Sequence, residues 1–275
     1  MKKCILFIAV VLMIVQTGTA QSTITIESGG SQIVLIIRDA GEKPSATALL
    51  VPGWGGGPSD VLGIGKALSS EGISSVVLTP RGWHNSEGNY SFAHALEDIK
   101  AALNWIRNSK RTEINSTNII LGGHSWGGGM CLAYASQDTM VKRIFSVAGT
   151  DHGIFIRKYL SDEKFAGRID KLLASTAAPD GPIRFDVKES LNELEEGQEI
   201  YGIIENAGKL ADRSILIFGG WEDTNTTIDE YLLPDYRAFK AAGAEDITFK
   251  TYHDNHGFGS VRNELYSDLI SWIKR

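Results

Sequence analysis

The sequence predicts an α/β architecture: a mostly parallel central sheet flanked by helices, with a helical cap insertion. Three observations lead there. Short runs that are apolar throughout alternate with longer amphipathic segments, as in a sheet covered on both faces. Several of these runs end in glycine-rich stretches, where a chain leaves a strand and turns sharply. Residues 151–212 interrupt the rhythm, and the same alternation resumes after them.

The elements follow in order. Ile24–Glu27 and Gln32–Ile37 read as an antiparallel pair around Gly29-Gly30. Ala46–Val51 is a continuous apolar strand running into Gly53-Trp54-Gly55-Gly56-Gly57. Ser59 or Asp60 is placed to cap the next helix, which ends near Gly72. Ile73–Leu78 is a strand that meets Thr79-Pro80-Arg81-Gly82. Ala95, Ile99, Leu103 and Ile106 fall at helical spacing within Ala93–Arg107. Asn118–Leu121 is a strand, Gly129–Ser136 a helix and Val141–Val147 a strand.

Within 151–212, Ile154–Leu160 and Ser190–Glu196 read as helices, the second in an acid-rich stretch expected to be a solvated face. Ile215–Phe218 and Ile247–Tyr252 are strands, and Asp235–Ala242 and Val261–Lys274 are helices.

Composition bounds the function. The chain has 275 residues, 43% hydrophobic and 22% charged, which excludes a disordered or collagen-like chain and a polytopic membrane protein. Its net charge is -6 and no basic block occurs, so nucleic-acid binding has no electrostatic support.

Residues 1–20 read as a secretory signal peptide. Lys2-Lys3 precedes an apolar run, Cys4–Val15, and Gly18-Thr19-Ala20 supplies a small-residue cleavage site before Gln21. The run is short for a transmembrane helix, and an uncleaved anchor is the alternative. Cleavage removes Cys4 and leaves Cys131 alone, within Met130-Cys131-Leu132-Ala133, where a buried apolar role is expected. No cysteine–histidine cluster has zinc spacing, and nothing points to a cofactor.

Gly123-His124-Ser125-Trp126-Gly127 is a G-x-S-x-G between an apolar strand and a helix. That setting is a nucleophile elbow: glycines permit a tight turn that lifts the Ser125 hydroxyl above the sheet. A neutral serine needs a base. Of six histidines, His256 stands between the last strand and the last helix, with His253 as its rival. Asp223 follows the preceding strand and is placed to orient His256, with Glu222 and Asp151 as rivals. Two oxyanion donors are expected, the Trp126 backbone N–H after the nucleophile and the Trp54 N–H in the glycine-rich loop.

These residues resemble a serine hydrolase of the α/β-hydrolase superfamily over residues 22–275. Arg81-Gly82-Trp83-His84-Asn85-Ser86-Glu87-Gly88 is similar to the arginine–glycine loop of many members. The tail through His256-Gly257-Phe258 resembles dienelactone-hydrolase and prolyl-oligopeptidase-type catalytic domains. Where many members carry a histidine–glycine pair at the first oxyanion loop, this chain has Pro52-Gly53.

The resemblance implies hydrolysis of a carboxylic ester through an acyl-enzyme, without a cofactor. A peptidase acting on short peptides is the alternative enzyme, and a non-catalytic binding relative the alternative of another class. Trp83 and Trp221, on site loops, are substrate-pocket candidates or loop packing. Asn89, Asn115 and Asn225 begin N-x-S/T sequons. A glycan at Asn225 would crowd Asp223, which favours a bacterial exported protein.

Overall fold

The computed structural model describes residues 20–275. The expected signal segment therefore lies almost wholly outside the described residues.

Eight strands form one sheet: β1 Gln21–Ser28, β2 Ser31–Arg38, β3 Ala46–Val51, β4 Ile73–Thr79, β5 Ile119–His124, β6 Arg143–Val147, β7 Ser214–Gly220 and β8 Ile247–Tyr252. Their spatial order is β1-β2-β4-β3-β5-β6-β7-β8. The β1–β2 hairpin joins antiparallel at one edge, and every pair from β4 to β8 is parallel. β3 is buried at all six residues, the signature of a strand covered on both faces. Successive side chains point to opposite faces, so Leu49 and Val51 join one core and Ala48 and Leu50 the other.

The helices are α1 Ile64–Ser69, α2 Phe92–Asn108, α3 Trp126–Ala135, α4 His152–Ser161, α5 Glu163–Thr176, α6 Val187–Glu196, α7 Gln198–Tyr201, α8 Ile203–Asn206, α9 Leu233–Ala241 and α10 Arg262–Ile273. α2 starts at Ser91, whose hydroxyl accepts the His94 amide, and it buries Ala95, Ile99, Ala102, Leu103 and Ile106. One turn of π-helix, Ile228–Leu232, leads into α9.

Several boundaries differ from the sequence expectation. α3 begins at Trp126 rather than Gly129, because its glycines are there for packing and not to break a helix. A Cβ on Gly128 would stand 2.7 Å from Ser146 Oγ, so only glycine lets α3 approach β6 this closely. α1 begins at Ile64, while Asp60 reaches forward to accept the Gly65 and Lys66 amides from outside the helix. β5 runs through Gly122-Gly123 because the Phe145 ring fills the space beside Gly122.

Between β6 and β7 the chain forms α4 to α8 and a short 3₁₀ turn, Ala207–Leu210. α5 places Phe165, Ile169, Leu172 and Leu173 on one face at helical spacing. The acidic stretch is not simply solvated. Glu193 accepts both the Phe92 and Ala93 amides at 2.7 Å, fastening α6 to the N-terminus of α2.

Candidate active site

Ser125 stands between β5 and α3 with φ 54° and ψ −123°, a conformation that costs about 1–3 kcal/mol for a residue with a side chain. The surroundings impose it. The Ser125 amide donates to Val147 O, and the Ser125 carbonyl accepts from the Gly129 and Thr150 amides. A Cβ on Gly123 would stand 2.6 Å from Val51 O and from the Gly127 carbonyl carbon. The elbow is thus closed by glycines on both sides of the serine.

His256 Nδ1 lies 2.7 Å from Asp223 Oδ2. The other Asp223 oxygen accepts the Asn225 and Thr226 amides at 2.7 and 3.0 Å, and the carboxylate is sealed from solvent. A carboxylate facing Nδ1 places the proton there and leaves Nε2 with a free lone pair. Ser125 and His256 line the same cavity.

The rival residues go elsewhere. His253 is exposed and faces Glu222 at 3.3 Å. Asp151 is fully buried, and its two oxygens accept the amides of Gly153 and Ile154 and of Ile203 and Ile204. It caps α4 and α8 together.

Asp235 is buried beside Asp151, and its Oδ1 has no hydrogen-bond partner. Burial and the Asp151 charge hold the Asp235 carboxyl well above the usual range.

The amides of Trp54 and Trp126 donate to no acceptor among the described residues. Trp126 opens α3, where an N–H has no intrahelical partner. The loop after β3 reaches the serine: a Cβ on Gly53 would stand 3.3 Å from Ser125 Cβ. Both amides therefore sit on backbone that borders Ser125, as an oxyanion site requires.

The loop is also pinned. Trp54 Nε1 donates to Thr176 Oγ1 at 2.9 Å, and His84 Nε2 donates to Gly56 O at 2.8 Å. Trp54 meets Trp83, Tyr90, Trp126 and Phe185 edge-on, at centroid distances of 5.1 to 6.1 Å.

The cavity holds about 790 Å³, within the range of small-molecule sites. Phe155 of α4, Phe165 and Leu172 of α5, and Leu191 and Leu194 of α6 supply its apolar wall. Of the two roles open to Trp83 and Trp221, cavity lining is not what the structure gives: neither residue borders the cavity. Trp83 is fully buried behind Trp54, and Trp221 is 53% exposed on the outer surface. Asn225 does line it, and its amide is one of those holding Asp223.

Two histidines matter here that sequence reasoning passed over. His124 packs its ring 4.6 Å from that of His256, and His124 Nε2 donates to the His256 carbonyl at 2.9 Å. Burial, with the neighbouring His256, lowers its pKa to about 4, so it stays neutral. His152 lines the cavity while 98% buried, and burial lowers its pKa to about 4 as well. The available signal was position: both residues border the carboxyl ends of strands, where sites form in open parallel sheets. No comparable signal marked Thr176.

Among the described residues no group of three histidine, cysteine, aspartate or glutamate side chains could hold a metal. Cys131 is buried, and burial pushes its thiol up.

The sheet order, the elbow and the position of His256 define one class of protein. Residues 49–187 match the family model of the alpha/beta hydrolase fold, and the chain belongs to that family.

It is similar in structure to an esterase of Pyrococcus furiosus, with a TM-score of 0.69 and 14% identity over 94% of this chain and 93% of that one. It is similar to Est1E of Butyrivibrio proteoclasticus with ferulic acid bound, at 0.65 and 13% over 91% and 98%. A third likeness is to the alpha/beta hydrolase GrgF of Penicillium sp. sh18, at 0.68 and 18% over 93% and 98%. At such identities these likenesses concern the fold. No curated protein matches the chain in sequence.

Proposed function

We propose that the protein is an exported serine hydrolase that cleaves carboxylic esters. The observation that carries this reading is the 2.7 Å pairing of Asp223 with His256 Nδ1, which leaves Nε2 free beside a cavity that Ser125 also lines.

In this reading His256 Nε2 takes the Ser125 proton as Oγ attacks the ester carbonyl. The electron pair of the carbonyl moves to oxygen, where the Trp54 and Trp126 amides stabilise it. As the C–O bond breaks, the imidazolium returns its proton to the leaving alkoxide. A water then repeats the sequence on the acyl-enzyme and frees the acid. Asp223 orients the imidazole and stabilises the imidazolium. No step needs a cofactor.

The wall from α4, α5 and α6 is mostly apolar, with Arg168 of α5 and Arg262 as charged lining residues, and we read it as suited to an ester acyl or alcohol group. A peptidase would need a group to hold a peptide terminus. Asp151 is occupied by four amides, and Glu222 faces His253 outside the cavity. We read residues 151–212 as a cap over the site. Export rests on the Lys2-Lys3, Cys4–Val15 and Gly18-Thr19-Ala20 pattern, and β1 begins at Gln21, so cleavage there spares the first strand.

The test is turnover of acyl-ester and aminoacyl-amide panels by the wild type and Ser125→Ala. Ser125-dependent ester turnover is expected. Turnover of amides alone would replace the ester reading with the peptidase one, and no turnover of either would leave a binding protein.

A further inference from the structure

His152 is the first residue of α4 and lies against Trp126, the residue after the elbow serine. It is 98% buried, it lines the cavity, and the proposed ester mechanism gives it no part. Its ring meets Phe92 edge-on at 5.3 Å. Its Nε2 lies 3.3 Å from the Trp126 carbonyl oxygen.

A carbonyl can only accept, so Nε2 carries the proton of the neutral ring. Nδ1 is then a bare acceptor, and no donor among the described residues reaches it. Nδ1 is not among the side-chain atoms sealed without a partner, so it stays open to the cavity, and a ligand that fills the cavity excludes water from it unless the ligand brings a donor.

The other polar groups of the wall do not make the same demand. Thr150 and Thr226 pair their hydroxyls at 3.2 Å. Ser190 also lines the cavity, but a hydroxyl rotates to donate or accept and so selects no polarity. His152 combines full burial, an engaged proton and a free lone pair; His124 also has an engaged Nε2 proton, but it is only half-buried and its ring is packed against His256. Phe92 beside His152, and Phe155 and Leu194 elsewhere on the same cavity wall, offer a ligand only apolar contact.

We propose that His152 determines specificity at this cavity, selecting esters whose apolar moiety carries a hydroxyl group that donates to Nδ1. This deepens the ester reading and rests on it. A site built to bind a hydroxyl discriminates strongly against the analogue without one, because the acceptor is then left unpaired.

The experiment uses matched esters. p-Nitrophenyl 3-phenylpropanoates with and without a ring hydroxyl, and p-nitrophenyl alkanoates with and without a chain hydroxyl, place the group in the acyl part. Acetates of benzyl and hydroxybenzyl alcohols place it in the alcohol part. Each pair is run on wild type, His152→Phe and His152→Gln, whose amide can donate to Trp126 O and still accept. The expected result is a wild-type kcat/KM preference of at least about tenfold for the hydroxylated member of one pair. It should collapse to near unity in His152→Phe and partly return in His152→Gln.

A second readout needs no turnover: calorimetric affinity of Ser125→Ala, with and without His152→Phe, for the hydroxylated and plain free acids and alcohols. The proposal is overturned if no wild-type pair shows the preference, or if His152→Phe keeps it. If esters are not turned over at all, the ester reading fails separately, and the affinity ratio still decides the role of His152.

Discussion

Trp54 Nε1 donates to Thr176 Oγ1 at 2.9 Å, so the loop bearing one proposed oxyanion amide is fastened to the last residue of α5. The same loop is held at Gly56 by His84. Its geometry near Ser125 therefore depends on a helix that lines the far side of the cavity.

Thr176→Val removes this bond while keeping the side-chain shape. A neutral hydrogen bond is worth about 0.5–1.5 kcal/mol, so kcat should fall about three- to tenfold with KM little changed. Thr176→Ser should retain most of the rate. Steady-state kinetics on a soluble ester checks both.

Asp223→Asn should lower kcat by about 10³–10⁴, because an amide facing Nδ1 puts the imidazole in the wrong tautomer. Asp151→Ala should act differently. It strips the acceptor from four amides, two of them buried, so it should lower the melting temperature by several degrees while the folded fraction still labels at Ser125. If Asp151→Ala instead abolishes turnover at unchanged stability, Asp151 and not Asp223 serves His256.

The buried titratable groups set the pH range of stability from both sides. Asp235 has a raised pKa in the fold, so its contribution is full below the ordinary carboxylate range and is lost as pH rises. His124 and His152 are lowered from 6.5 to about 4, so the unfolded chain binds their protons first, and stability is lost as pH falls from 6.5 towards 4. Asp235→Asn should therefore raise the melting temperature at pH 8 by about 2–4 °C, the shift that ~1 kcal/mol produces in a domain of this size. At pH 4 the gap should close. Thermal melts across pH 4–8 test this.

His124→Leu should lower kcat about tenfold, an amount in keeping with the loss of one hydrogen bond and of ring packing against His256. Because His124 is neutral well below pH 6, the acid limb of kcat/KM should still titrate a single group. A limb that changes from two protons to one in the variant would show that His124 shares the proton.

The parallel sheet was legible in the sequence because several strands are short, apolar and end in glycine, and the proposed serine, acid and histidine follow β5, β7 and β8 in turn. β3 and β8 match their expected limits to the residue. The start of α3 was hidden because glycine has low helix propensity, and only the approach of β6 explains why Gly128 is needed.

For Trp83 and Trp221 the sequence left pocket lining and loop packing both open. Loop position shows neither that Trp83 turns into the core nor that Trp221 turns out to solvent. His124 and His152 were readable as polar residues at strand ends. Their proton states depend on burial and on carbonyl partners far away in the chain, which one sequence does not display.

Intact-mass spectrometry of the quenched protein during turnover of a p-nitrophenyl ester tests the central claim most directly. A covalent adduct of the acyl mass on wild type, mapped to Ser125 and absent from Ser125→Ala, is the predicted result. Ester turnover with no acyl adduct under rapid quench, or with an adduct that persists in Ser125→Ala, would contradict it.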